Sequence, residues 1–371
     1  MSAKFDGKIF FYCYPSLAVS EAERFQHLLI CLGEGLRKLE IPFYSNVNYW
    51  QESPEKEQYL FHHDPKITPD DCSIVVLQHN WFTLGTPLPE NLFHSKRKYV
   101  TVYLDGNDSD QAYPRNSDFR RFDFIFRNHY NSKLKYEKNF YPWSFGLSNR
   151  ILREADRAPR FQEKKRHLLI NFRNWKAGHP VRSISCRELI PHIQNILPID
   201  NYVDSLNSHP VDAYHYLQWI QTGGRHYPNY YKRLKDSAAC ACFGGFFVAP
   251  WSHNPGSLVS RGLKRVVSKL SLKSNTIVQW DSWRFWESLA SGCATFHVDF
   301  EKYGLTLPVM PENWRHYIGI DLDNVQEAVN RIANDPAILE RIATEGRLWA
   351  LEHYSPVPTT LRFLKTISQT L

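Results

Sequence analysis

The chain has 371 residues, of which 43% are hydrophobic and 22% charged. Those values fit a globular protein of two domains of about 150 residues each, and they exclude a disordered chain. No run approaches the roughly 18 apolar residues that a membrane-spanning helix requires. The formal net charge of +7 is not concentrated in one basic run. We therefore expect a small anionic ligand as partner and no nucleic acid.

The first apolar run, residues 9–13, is too short for the core of a secretory signal. The seven cysteines are odd in number and lie mostly within apolar runs, which is typical of reduced thiols. We therefore expect a cytoplasmic protein, with peripheral membrane contact as a further possibility that is taken up below.

The first half alternates short apolar runs with helical or polar stretches, which is typical of βα units and a parallel sheet. A helix is predicted within residues 18–39, where apolar residues recur on one helical face. The polar and aromatic stretch after Phe43 suggests a ligand-facing loop. The predicted strands of this half are 9–13, 43–45, 73–77, 99–104 and 122–126.

The periodic pattern stops between residues 140 and 160 and restarts at 168–172, which indicates a linker. We predict an N-terminal domain over residues 1–150 and a C-terminal domain over 151–355. Residues 356–371 form a last helix that could pack back on the first domain. Further predicted strands are 238–243, 276–278, 294–298 and 317–320, followed by helices at 324–334 and 336–353. Two open α/β sheets leave a cleft, in which ligands lie at the carboxyl ends of the strands.

The segment 277–298 carries the clearest chemistry. A strand ends near Gln279, Ser282 has the chemistry of an N-cap, and Gly292 is placed to end the helix between them. The free amides and positive dipole of such a helix start attract a diphosphate, and a cation in the first turn, Arg284, requires a compensating anion. The Glu287 carboxylate could accept both ribose hydroxyls. Alternatively, Arg284 and Glu287 form an ordinary surface pair three residues apart.

The pattern Ser282-x-Arg284-x-x-Glu287-x-Leu289-x-x-Gly292-Cys293 resembles the donor-site segment of GT-B glycosyltransferases, in particular the exostosin-like and group 1 families. Residues 230–245 and 335–355 resemble the units on either side of that segment. The resemblance implies an α/β, GT-B fold of two Rossmann-like domains that face each other across a cleft.

That resemblance also implies an activity. It indicates a hexosyltransferase-type enzyme with a UDP- or GDP-linked sugar as donor, no metal and no other cofactor. In such enzymes the helix binds the diphosphate and the glutamate holds the ribose. By the same resemblance, Arg173 and Lys176 would contact the diphosphate, with solvated surface charges as the alternative for each. Gln279 stands where many relatives carry a second glutamate, and Asp281 or Asp299 could replace it.

A base for the acceptor hydroxyl is expected across the cleft, on the N-terminal domain. His79, Asp105 and His129 are the candidates, because each follows a predicted strand at its carboxyl end. Ordinary turn chemistry is the alternative explanation for all three.

Three alternatives remain open. Asp108 and Asp110 spell the D-x-D motif with which GT-A transferases hold a divalent metal. The protein could instead be a non-catalytic nucleotide- or glycan-binding protein. The basic amphipathic stretch 258–273 could rest on an anionic membrane that carries a lipid-linked acceptor, or pack as a surface helix. The acceptor is left open among glycans, lipid-linked glycans and small molecules.

Overall fold

The computed structural model describes residues 5–14, 25–108, 117–172, 180–203, 209–248 and 275–370. Arg173, Lys176 and Asp110 lie outside the described residues, and so does the basic stretch 258–273. Within the described parts of the chain, no helix is long and apolar enough to cross a membrane.

The N-terminal half contains a six-stranded parallel sheet in the spatial order β2-β1-β5-β6-β7-β8. Its central strands are buried on both faces, which is why they appear in the sequence as continuous apolar runs. The strands of this half are β1 (Ile9–Tyr12), β2 (Phe43–Ser45), β3 (Tyr49–Ser53), β4 (Lys56–Phe61), β5 (Ile74–Gln78), β6 (Val100–Asp105), β7 (Phe124–Arg127) and β8 (Phe140–Pro142).

Two helices of this half are α1 (His27–Lys38) and the short α2 (Asn80–Thr83), which follows β5. Ten of the residues of α1, from His27 to Leu36, are buried. One side of α1 packs against the last helix of the chain, α11 (Pro356–Thr370), whose Phe363 and Ile367 join the core of the first sheet. The chain therefore returns to its N-terminal half at its end.

The C-terminal half contains a five-stranded parallel sheet in the spatial order β10-β9-β11-β14-β15. The strands of this sheet are β9 (Lys165–Ile170), β10 (Ile199–Asn201), β11 (Ser237–Ala241), β14 (Ala294–Val298) and β15 (Ile318–Ile320). A separate two-stranded antiparallel ribbon is formed by β12 (Phe246–Phe247) and β13 (Ile277–Val278). The helices are α3 (Asn149–Ala155), α4 (Pro180–Ile193), α5 (Ala213–Gln221), α6 (Pro228–Asp236), α7 (Trp283–Ala290), α8 (Phe300–Tyr303), α9 (Val325–Asn334) and α10 (Ile338–Tyr354).

Two stretches of the N-terminal half differ from the sequence-based expectation. The polar stretch after Phe43 forms the antiparallel hairpin β3–β4 instead of an open loop. Within the stretch expected to be linker, β8 adds a sixth strand beside β7, because Phe140 buries its ring in the sheet's second core. A three-residue strand at a sheet edge tolerates Pro142 and shows no periodic pattern, so sequence reasoning missed it.

Asn131 forms hydrogen bonds between the N-terminal and C-terminal halves. Its side-chain amide donates to the carbonyl oxygens of Ile277 and Tyr303, both at 2.8 Å. The neighbouring Ser132 amide donates to the Gly304 carbonyl oxygen at 2.8 Å. These contacts bring the loop after β7 to the C-terminal half, next to the segment that leads into α7.

Candidate functional site

Helix α7 begins where the carboxyl ends of β9 and β11 meet. The Cys242 thiol, just past β11, contacts the Arg284 carbonyl oxygen at 3.3 Å. The Arg284 guanidinium lies over the ring of Phe172, 5.5 Å from its centre, just past β9. Gly292 ends the helix region with a φ of +66°, so the predicted helix start and stop are confirmed.

Three side chains at the start of α7 carry polar atoms that lack a hydrogen-bond partner among the described residues: the Ser282 hydroxyl, the Trp283 indole nitrogen and Nε of Arg284. Ser282 has the extended backbone of an N-cap, but its hydroxyl makes no capping hydrogen bond, contrary to expectation. Orphan donors beside a positive helix dipole and a cation form a site suited to an anion.

Glu287 lies on the next turn of α7 and is buried, with 7% of its surface exposed. Its carboxylate accepts hydrogen bonds from the hydroxyls of Tyr230, at 3.0 Å, and Tyr231, at 2.6 Å. Burial raises the pKa of each tyrosine well above its usual value, so both hydroxyls stay protonated and donate. The alternative of a surface pair between Glu287 and Arg284 is wrong, because the cation nearest to the carboxylate, at 3.9 Å, is Arg150.

Sequence reasoning missed Arg150, which lies on α3 in the stretch expected to be linker. Its side chain is almost fully buried, and its guanidinium also lies 5.7 Å from the centre of the Phe25 ring of the N-terminal half. A lone arginine in an aperiodic segment carries no sequence signal of such a contact. Its partner Glu287 is 137 positions away along the chain.

On the N-terminal half, the three candidate bases come together at the carboxyl edge of the first sheet. Asp105 is the last residue of β6 and is fully buried. Its carboxylate accepts a hydrogen bond from Arg127 at 2.5 Å. Because this ion pair neutralises Asp105 and encloses it, the geometry favours a structural role for this residue.

His129 follows β7 and has both ring nitrogens engaged. Its Nδ1 accepts a hydrogen bond from the backbone amide of Asp281 at 3.0 Å, so its proton lies on Nε2, which donates to Asp108 at 3.1 Å. The Asp108 side chain is exposed. Desolvation raises the pKa of Asp108, but the hydrogen bonds from His129 and Gln279 outweigh it and hold the pKa below its ordinary value. Asp108 therefore presents a carboxylate, supported by a histidine, beside the segment that leads into α7.

His79 follows β5, next to Asp105 and Asp108. Burial lowers its pKa to about 4 despite the charges of those two carboxylates. Its Nδ1 has no partner among the described residues. At neutral pH His79 is therefore an uncharged imidazole.

Asp281 joins the two halves and is fully buried. Its carboxylate accepts hydrogen bonds from the Trp286 indole at 2.7 Å and from the Phe145 amide at 2.8 Å. Burial raises its pKa to about 6. Asp299 instead caps α8 and accepts from the Asn313 amide, both at 2.8 Å. Because both carboxylates are committed to these contacts, the suggestion that either replaces a sugar-holding glutamate at position 279 is not supported.

Two Rossmann-like domains with parallel sheets, which meet near the carboxyl ends of their strands, define the GT-B fold. No protein-family model matches the sequence, and no curated protein matches it. Among solved structures, the chain is similar to an alpha-glucosyltransferase (AGT) in complex with UDP, with a TM-score of 0.52 and 11% identity over 98% of this chain and 100% of that one. It is also similar to AviGT4, a glycosyltransferase involved in avilamycin A biosynthesis, with a TM-score of 0.50 and 11% identity over 98% of both chains.

At such low identity these likenesses show the fold, and the predicted GT-B fold is confirmed. The exostosin-like assignment is not confirmed, and the metal-dependent GT-A alternative receives no support.

The prediction that nucleic acid is not a partner is wrong. The alpha-glucosyltransferase also has this fold in complex with UDP and a 13-mer DNA, with a TM-score of 0.51 and 12% identity over 98% of this chain and 100% of that one. The prediction relied on the absence of a basic run in the sequence. Folding brings residues that are distant in sequence onto one surface, so that absence carries no such exclusion.

Proposed function

We propose that the protein transfers a sugar from a nucleotide-diphosphate donor to an acceptor hydroxyl. The observation that carries this proposal is the start of α7, where Ser282, Trp283 and Arg284 hold polar atoms without partners among the described residues. That start lies at the carboxyl ends of β9 and β11, where ligands of open α/β sheets bind. Solved structures of the same fold include one in complex with UDP-glucose.

In this proposal the diphosphate binds the amides at the start of α7, the Ser282 hydroxyl and the Arg284 guanidinium. The positive charges offset the charge that develops on the leaving group. Arg173 and Lys176, which lie outside the described residues, are proposed as further phosphate ligands. Glu287 accepts the ribose hydroxyls, because each carboxylate oxygen retains a lone pair beyond the one that a tyrosine occupies.

We further propose that Asp108 takes the proton of the acceptor hydroxyl. The support is its exposed, ionised carboxylate, which His129 orients through Nε2. His129 thus contributes as an orienting group behind Asp108. His79 is a second candidate for this role, because its ring is neutral and its Nδ1 has no partner among the described residues.

Donor binding is proposed to need no divalent ion, because a helix start and cations supply the positive charge. Calorimetric titration of the nucleotide with and without EDTA tests this. Equal affinities are expected. Loss of affinity with EDTA, and its recovery with manganese, would move the diphosphate to a metal site.

The function itself is tested in two stages. Thermal denaturation with UDP, GDP, CDP and dTDP should show stabilisation by at least one nucleotide, since a ligand that binds only the folded protein raises its melting temperature, and more so the tighter it binds. The matching sugar nucleotides are then assayed for hydrolysis and for transfer to glycans, lipid-linked glycans and DNA containing a HMU base. If no nucleotide stabilises the protein, the proposal fails. Binding without hydrolysis or transfer would favour a non-catalytic nucleotide-binding protein.

Asp108→Asn separates catalysis from binding. Turnover should fall roughly 10²- to 10⁴-fold, as for loss of a general base, with nucleotide affinity unchanged. Asp70→Asn, which alters an exposed aspartate paired with His94 on the same domain, is the matched control and should retain activity. Normal turnover of Asp108→Asn would transfer the role to His79.

A further inference from the structure

A buried polar cluster joins the linker helix α3 to the helix of the proposed donor site. Its members come from four elements and from the turn before α6. They are Arg150 and Glu154 on α3, His215 on α5, His226 before α6, Tyr231 on α6 and Glu287 on α7. Each member except His215 is at least nine-tenths buried.

Arg150 fixes the direction of the hydrogen bond between Tyr231 and Glu287. An arginine can only donate, so its Nη1 donates to the Tyr231 hydroxyl oxygen at 2.8 Å. The Tyr231 proton is therefore free to point to Glu287, and the hydroxyl donates to Oε1 at 2.6 Å. Nη2 of Arg150 lies 3.9 Å from the same oxygen. This arrangement holds the Glu287 carboxylate as a hydrogen-bond acceptor in a fixed orientation.

Arg150 also fixes the hydrogen bonds of the two histidines in the cluster. Its Nη1 also donates to Nδ1 of His226 at 3.2 Å. Burial and the charge of Arg150 lower the pKa of His226 to about 2, so the ring is neutral and carries its proton on Nε2. That proton is donated to Nδ1 of His215 at 3.0 Å.

Three members of the cluster also have the residue types and spacing of a metal site. Glu154, His215 and His226 present ligand atoms 3.0, 3.6 and 3.6 Å apart, and an ion about 2 Å from each would match zinc–ligand distances. A metal on Nε2 would, however, move the His226 proton to Nδ1, where it would face the N–H of Arg150. Two donors would then oppose each other at 3.2 Å, so the geometry favours a hydrogen-bonded cluster over a metal centre.

Building on the proposed function, we propose that Arg150 is a positioning residue of the donor site. It acts through Tyr231 and through its own charge to keep the Glu287 carboxylate oriented for the ribose. Because its guanidinium also packs on Phe25 of the N-terminal half, Arg150 ties the ribose-binding end of the donor site to the contact between the domains.

The principal test is a double-mutant cycle on nucleotide affinity, measured by calorimetric titration of the nucleotide that best stabilises the wild type. Arg150→Met should weaken binding about ten- to a hundredfold, as Glu287→Gln does. The double variant should be no weaker than Glu287→Gln alone, because both changes remove one coupled unit. Arg153→Met on the same helix is the matched control, since its guanidinium lies over Tyr214 and not at Glu287. Its affinity should equal that of the wild type.

A second pair of variants keeps the proposal testable if Arg150→Met does not fold. Tyr230→Phe and Tyr231→Phe each remove one hydroxyl that donates to Glu287, but only Tyr231 also accepts from Arg150. Tyr231→Phe should therefore weaken nucleotide binding several-fold more than Tyr230→Phe. Equal losses would overturn the positioning role.

The outcomes separate the two proposals. If no nucleotide binds the wild type, the proposed function fails. If Glu287→Gln loses affinity while Arg150→Met binds like the wild type, only the positioning role fails. Elemental analysis of the purified protein completes the test: stoichiometric zinc, with a fall in melting temperature on chelation, would overturn the hydrogen-bond assignment at His226.

Discussion

The substitution Glu287→Gln preserves the shape of the side chain and one acceptor oxygen, but it removes the charge. With the amide oxygen placed toward Tyr231, that hydroxyl can still donate, and the amide nitrogen can donate to the Tyr230 oxygen instead. What the structure loses is the negative charge 3.9 Å from Arg150. The substitution therefore probes a charge and leaves the packing in place.

Two magnitudes follow from these contacts. A charged hydrogen bond to the ribose is worth about 1.5–3 kcal/mol, so nucleotide affinity should fall roughly ten- to a hundredfold. Breaking a buried ion pair costs about 3–5 kcal/mol. We expect a loss near the lower end, because the negative charge of Glu154 also faces Arg150. A surface glutamate paired with Arg284 would have contributed at most about 1 kcal/mol.

Calorimetric titration of the nucleotide and thermal denaturation without ligand measure the two effects separately. The control is Glu352→Gln, an exposed glutamate on α10, which should change neither quantity. Reduced stability with unchanged affinity would show that Glu287 supports the fold alone. The ribose-binding role, and much of the reasoning on α7, would then be refuted.

Three further predictions rest on other contacts. Burial, and then the charge of Arg150, lower the pKa of His27 to about 3. Because the unfolded chain takes up the His27 proton between pH 7 and pH 5 while the folded chain does not, the wild type loses about 2 kcal/mol of stability over that range. His27→Phe should remove this loss and so flatten the acid dependence of stability. Urea denaturation at both pH values checks this, and an unchanged difference between them would contradict it. Asn131→Ala should lower the free energy of unfolding by about 2–4 kcal/mol, because the Ile277 and Tyr303 carbonyl oxygens lose their shared donor. A loss below about 0.5 kcal/mol in denaturant titration would mean that this contact between the halves is dispensable. Ser282→Ala should leave the melting temperature within about a degree of the wild type, since the Ser282 hydroxyl has no partner among the described residues. It should weaken nucleotide binding about two- to tenfold. Unchanged affinity would remove Ser282 from the phosphate site.

Local sequence patterns predicted most of the strands of both sheets to within two or three residues. Residues 43–45 and 294–298 form strands with the predicted bounds. A parallel strand buried on both faces appears as a continuous apolar run, and a helix start with an extended N-cap and a glycine stop depends on neighbouring residues alone. The hairpin β3–β4, the edge strands β8 and β10 and the two-residue strand β12 were missed because short, half-exposed strands lack that pattern. The boundary near Arg150 remains a prediction.

The environment of each candidate residue was decided only by tertiary structure. The spacing of Arg284 and Glu287 allowed a surface pair, whereas the fold places Glu287 against Tyr230 and Tyr231, more than fifty positions earlier in the chain. Likewise His79, Asp105 and His129 were equivalent as residues that follow strands. The ion pair of Asp105, the two hydrogen bonds of His129 and the unpartnered Nδ1 of His79 now distinguish their roles.

The sequence by itself therefore determined the two-sheet architecture, the helix that starts after Ser282 and the carboxyl edge where candidate bases collect. Only the tertiary structure decided which side chains are charged, which are already paired, and that Arg150 reaches Glu287. The physical reason is that secondary structure depends on residues a few positions apart, while burial and pairing depend on atoms brought together from opposite ends of the chain.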